Sequence, residues 1–190
     1  MREVPTTLAD KLGTAIASFA ELGFDQTRIE DLTVATGVPS STLYYYFSGK
    51  EDVLAFLLRQ WLGEVTAAVA DAISTDQPAR DRLVAVVQAQ LRLIRDNPDT
   101  CRVLLAELGR IARLQDIAEQ VHGAFHRPVE ELLRAGAADK SIRRIDVEPV
   151  TAAIYGSVMI TGLHYIIAGR TSEIDRIADE LLAFILDGVS

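Results

Sequence analysis

Five hydroxyl-bearing side chains, Ser40, Ser41, Thr42, Tyr44 and Tyr45, crowd into six consecutive positions, with Leu43 among them and Phe47 just beyond. At helical spacing Leu43 and Phe47 share an inner face, which leaves the hydroxyls outside. Such a face enters a DNA major groove without clashing and can donate to phosphates and base edges. Lys50 adds a cation close by. His122 and His126 stand four apart, a helical spacing that can clasp a metal ion. Glu119, Glu130 and the distant His164 are conceivable third ligands, none at a convincing position, so the pair reads as an ordinary exposed one and no metal is assigned. Cys101 has no partner for nucleophilic work and reads as a small buried hydrophobe. There is no Ser/His/Asp order, phosphate loop, paired-carboxylate signature or dinucleotide fingerprint, so neither an enzyme nor a cofactor is expected.

The elements that must position these residues are read from periodicity. No strand-like alternation is sustained, and helical spacing runs almost throughout. A first helix carries Leu8, Leu12, Ala15, Ile16 and Phe19 and stops at Gly23. A second starts at Thr27, whose hydroxyl can cap it while Glu30 closes the capping box. It buries Ile29 and Leu32 and ends at Gly37. Pro39 suits the opening of the third helix, which carries the hydroxyl run. Ser48 and Glu51 form a second box that starts a long fourth helix, with Leu54, Leu57, Leu58, Trp61 and Val65 inward. A fifth helix buries Leu83, Val87, Leu91 and Ile94, and a sixth Leu104, Leu105, Leu108 and Ile111. The seventh carries Ile117, Val121, Phe125, Val129 and Leu132, kinked by Pro128. Two more follow at about 148–168 and 172–187. The expectation is an all-α chain of about nine helices, a three-helix helix-turn-helix head over 1–50 and a helical ligand-binding and dimerisation body over 51–190.

Composition sets limits on partners. The 190 residues are 49% hydrophobic and 24% charged, the balance of a soluble globular chain. A single cysteine and no apolar leader behind Met1 point to a reducing, cytoplasmic setting. The net charge is −8. The first 50 residues hold four basic side chains (Arg2, Lys11, Arg28, Lys50) against six acidic ones, a net of −2. Polyanion affinity comes largely from Lys and Arg, so a head of this charge should show a shallow salt dependence.

The stretch from Phe19 to Phe24, the segment Thr27–Gly37, and the run Val38-Pro39-Ser40-Ser41-Thr42-Leu43-Tyr44-Tyr45-Tyr46-Phe47-Ser48-Gly49-Lys50-Glu51 together resemble the TetR family of bacterial transcriptional regulators. Beyond the first fifty-odd residues the likeness is one of helix number and length. The resemblance implies that Thr27, Arg28 and the start of the second helix face a phosphate. Ser40, Ser41 and Thr42 would open the recognition helix, Tyr44 would touch a phosphate or thymine methyl, and Tyr45 a flanking phosphate. Lys50 would grip the DNA backbone. Tyr46 and Phe47 read equally well as core. Position 33 is Thr where the family usually has Ala, and position 40 is Ser where a basic residue is common.

Val150 to Gly169 contains no Asp, Glu, Lys or Arg, and 20 such residues could span a bilayer. Three glycines, Thr151, Ser157, Thr161 and His164 argue instead for a helix buried on two sides, with no membrane partner. Ile154, Val158 and Tyr165 would face the helix's own domain; Tyr155, Met159, Gly162 and Ile166 would need a second surface. The last helix adds Ile174, Ile177, Ala178, Leu181 and Ile185. A four-helix interface between two chains, over about 148–187, follows. The family mechanism is release of a palindromic operator by a small effector held in the body. Trp61, Cys101, Leu105, Phe125, Tyr155 and Met159 are candidate pocket residues for a largely apolar ligand. The expected function is thus a ligand-responsive regulator, by family default a repressor. The alternative is a helical small-molecule-binding protein that does not engage DNA.

Overall fold

The structure, a computed structural model, describes residues 3–111 and 114–189. Among them there is no strand. Twelve α-helical segments follow one another: α1 Thr6–Leu12, α2 Ala15–Leu22, α3 Ile29–Thr36, α4 Ser40–Tyr46, α5 Lys50–Ile73, α6 Ala79–Asp96, α7 Pro98–Ala106, α8 Leu108–Ile111, α9 Gln115–Val121, α10 Arg127–Asp139, α11 Val147–Ile167 and α12 Ile174–Val189. A π-turn, His122–His126, joins α9 to α10, and a 3-10 turn, Thr171–Glu173, leads into α12. Three of the nine expected helices are each divided in two. The first breaks at Gly13-Thr14, where Thr14 Oγ1 lies 2.9 Å from both Lys11 O and Ala35 O and so ties the break to α3. The sixth breaks at Glu107, and the seventh at the π-turn.

That π-turn has a local cause. An unbroken α-helix would have the N–H of residue 128 donate to Ala124 O, but Pro128 has no N–H and its ring crowds that carbonyl. The buried amide of Gln90 on α6 replaces the missing donor, with Nε2 3.1 Å from Ala124 O and 3.3 Å from Phe125 O. The proline therefore widens a turn instead of bending a regular helix.

The chain divides into two compact units. One holds 1–61 with 99–117, the other 62–98 with 118–190. In the first, α2, α3 and α4 pack in succession around Leu12, Phe19, Leu32, Leu43 and Phe47, all buried. Each contributes about 1.5–3 kcal/mol by leaving water. The inward residues expected of α5, from Leu54 to Trp61, are buried here too. In the second unit α6 is the centre and touches α10, α11 and α12.

The faces of α11 differ from expectation. Met159, Gly162 and Ile166 join Thr151, Ile154 and Val158 on the inner side, while Tyr165 is only half-buried. The outer side carries Ile160 at 60% and Ile167 at 71% exposure. Both sides are apolar, so periodicity could not say which one packs inward. On α12, Ile174, Ile177, Ala178, Leu182 and Ile185 are buried, Leu181 is half-buried, and Phe184 stands out at 72% exposure. By length and composition α5 and α11 could each cross a membrane.

Candidate nucleic-acid interface

The hydroxyl run forms α4. It opens at Pro39, an extended residue with ψ of 143° and no amide proton, and no side chain caps the helix. The N–H groups of Thr42 and Leu43 close the first turn on Pro39 O. Leu43 and the residue after the helix, Phe47, are buried, which fixes its rotation. Ser40 and Ser41 are then exposed, Thr42 is half-exposed, and Tyr44 and Tyr45 are 59% and 58% exposed. Tyr46 is half-buried and meets Tyr45 edge to face, ring centroids 4.9 Å apart. The three hydroxyls and two tyrosines thus occupy one outward face. The turn into α4 depends on Gly37, left-handed at φ 66°.

The turn from α2 to α3 is built otherwise than the sequence suggests. Gly23 ends α2 at φ 76°, ψ 158°, a conformation essentially restricted to glycine. Thr27 is fully buried, and its hydroxyl donates to Gly23 O at 2.7 Å. It does not cap α3; it holds the turn closed. The capping carboxylate is Asp31, which accepts from the Arg28 N–H at 2.8 Å, and Glu30 is exposed. The Arg28 side chain remains exposed. Likewise Asp52, not Glu51, accepts the Ser48 N–H at 2.9 Å before α5.

Lys50 is half-buried and points toward the turn between α2 and α3. Its ammonium donates to Phe24 O at 2.7 Å, Thr27 O at 2.9 Å and Asp25 O at 3.0 Å. An ammonium has three protons, and three carbonyls take them. The charge also lies 4.6 Å from the centroid of the Phe24 ring. Lys50 staples the turn that presents Arg28.

Two further groups belong to this unit, and the sequence pattern did not single them out. Lys11 lines an open groove with Thr7, Pro39 and Thr42, at the start of α4. It lies in the last turn of α1, and its approach to Thr42 depends on the tertiary packing of α1. Arg110 of α8 stacks on Phe24, with its guanidinium carbon 3.9 Å from the ring centroid, and pairs with Glu107 at 2.9 Å and Asp25 at 3.0 Å. Of the head's four basic side chains, Arg2 lies outside the described residues, Lys50 is committed, and Lys11 and Arg28 are exposed.

The six candidate pocket residues fall three in each unit. Trp61 and Cys101 are buried and Leu105 is half-buried in the first. Burial pushes the Cys101 thiol up to about 12, so it is an inert apolar neighbour near neutral pH. In the second unit Phe125 and Met159 are buried, and the Phe125 ring sits 6.3 Å from that of the half-buried Tyr155. The outer sides of α11 and α12 frame an open apolar groove of about 330 Å³ between Val150, Ala153, Ser157 and Phe184. His122 and His126 stack with ring centroids 4.5 Å apart. Burial, and then the neighbouring His122, hold the His126 pKa below its usual value.

Two family models match this chain. Residues 12–56 match the one described as bacterial regulatory proteins, tetR family. Residues 76–189 match the tetracyclin repressor-like, C-terminal domain. The fatty acid metabolism regulator protein of Bacillus subtilis is 22% identical over 181 residues, covering 94% of this chain and 93% of the relative. The HTH-type transcriptional repressor KstR2 of Rhodococcus jostii is 24% identical over 182 residues, covering 94% and 89%. Among solved structures, the fatty acid degradation regulator FadR of Bacillus halodurans superposes with a TM-score of 0.86 at 19% identity, covering 97% of each chain. FadR of Bacillus subtilis, solved in complex with stearoyl-CoA, superposes at 0.82 and 20% identity, covering 96% of this chain and 99% of that one. Regulators of this kind bind operator DNA as dimers and are released by small-molecule ligands. With a helix-turn-helix whose outer face carries hydroxyls and tyrosines, and both family models matched, the chain belongs to the TetR family of bacterial transcriptional regulators.

Proposed function

We propose that this chain is a repressor that reads a palindromic operator through α4 as a homodimer and leaves it when a largely apolar effector binds the body. The observation that carries the reading is the face of α4. Tyr44 and Tyr45 are more than half exposed on a helix whose other side buries Leu43, in the segment that the regulatory-protein family model covers. Ser40, Ser41, Thr42, Tyr44 and Tyr45 contact DNA directly, and Arg28 and Lys11 supply the nearby cations. Thr27 and Lys50 position Arg28. Residues 1–50 are the DNA-binding domain, and 51–190 bind ligand and dimerise.

The dimer forms where α11 and α12 leave Ile160, Ile167 and Phe184 exposed. These apolar side chains have reason to be covered by a second copy. The effector is acyl-chain-like: buried Phe125 and Met159 of the second unit offer apolar contacts, and a structural relative was solved with stearoyl-CoA. The protein acts in the cytoplasm, beside its DNA, and turns nothing over. The acidic head and the internal commitment of Lys50 favour one rival, a ligand-binding protein that no longer engages DNA.

A gel shift with the DNA flanking the chain's own gene separates the two. The regulator reading expects a shift at low salt, reversed by a long-chain acyl-CoA, and lost on Tyr44→Ala. No shift at low salt with well-folded protein would favour the rival.

A further inference from the structure

We propose that His122, His126 and Glu130 form a binding site for a divalent transition-metal ion. The three residues occupy successive turns of the segment that runs from the π-turn into α10. One nitrogen from each imidazole and one Glu130 carboxylate oxygen lie within 4.8 Å of one another. A tetrahedral zinc ion with bonds near 2.0–2.1 Å holds its ligand atoms about 3.3 Å apart, so small side-chain rotations complete the cluster. The rings stack at 4.5 Å with planes 24° apart. A shared cation gives two imidazoles reason to stand together in this way.

Three features make this more than a histidine pair on a helix. First, His126 Nδ1 is buried and has no hydrogen-bond partner. A buried polar atom left unsatisfied is costly, and coordination at this atom relieves it. Second, the scaffold is fixed in advance. Pro128 imposes the wide turn, and Gln90 satisfies the carbonyls it frees, at 3.1 and 3.3 Å, so the rings sit on a turn held from outside the helix. Third, the carboxylate is oriented by a neighbour, since Arg134 donates to Glu130 Oε1 at 2.5 Å. Metal-ligating carboxylates are held by hydrogen bonds of this kind.

The exposure of His122 provides a path for the ion from solvent. Two imidazoles and a carboxylate suit Zn²⁺, Co²⁺ or Ni²⁺ and leave a fourth position for water. The Tyr155 ring stands edge-on to His126 at 6.3 Å, so an ion here would brace α10 against α11.

The test is Co²⁺ titration of the untagged full-length chain followed by visible ligand-field absorption, with Zn²⁺ as competitor. One ion per chain is expected, with Zn²⁺ displacing Co²⁺. His122→Ala removes an exposed ligand without opening the core, and Glu130→Gln keeps the shape; each should weaken binding at least about tenfold. His164→Ala, which removes the one other histidine of the chain, should change nothing. Absence of saturable binding, or binding equally strong in His122→Ala and Glu130→Gln chains of native circular dichroism, would overturn the assignment.

Discussion

At the scale of single residues, the head divides between side chains on the outer face of α4 and two, Thr27 and Lys50, that turn inward. Ser40, Ser41, Tyr44 and Tyr45 are exposed, as the placement of Leu43 and Phe47 requires. Thr27 and Lys50 turn inward because the carbonyls of residues 23 to 27 converge there, and backbone direction in an irregular turn is not written in residue types. The two kinds of cation are separable by experiment. Lys50→Met should lower thermal stability by about 1.5–3 kcal/mol, since it removes charge-assisted hydrogen bonds, yet leave the salt slope of operator binding unchanged. Arg28→Ala should barely alter stability and reduce that slope by about one per protomer. Melting curves and affinities across a salt series for both variants decide between positioning and phosphate contact.

At the scale of elements, helix type and order were legible because apolar residues recur at helical spacing through the whole chain. Three breaks were not. The one at the π-turn needs a proline, a carbonyl and a glutamine 34 residues away in sequence from that carbonyl, and such a triple has no local signature. The inner face of α11 was also unreadable, since both sides are apolar. Gly162 shows the consequence: a Cβ there would sit 2.6 Å from Ile94 Cγ2, so α11 approaches α6 closely at this point. Gly162→Ala should destabilise the chain by about 1–3 kcal/mol through overpacking. Gly63→Ala on α5, with no neighbour within 4 Å, should be neutral or stabilising by up to about 1 kcal/mol. Urea unfolding of the two variants tests the contact.

At the scale of the whole molecule, a head with a net charge of −2 works best when paired. One recognition helix covers few base pairs, and two related by a twofold axis read a palindrome. Ile160→Glu with Phe184→Glu should convert a dimer to monomers in sedimentation equilibrium and abolish operator binding, although α4 is untouched. Two family models and relatives matched along nearly the full chain place the protein among regulators, but sequence leaves the operator open. The most direct measurement is selection of bound fragments from a random DNA pool, followed by affinity of the winning site across a salt series. An inverted repeat with half-sites about one helical turn or more apart is expected, bound with a shallow slope of about four released ions. A pool with no enriched motif, or a slope of about eight or more, would contradict it.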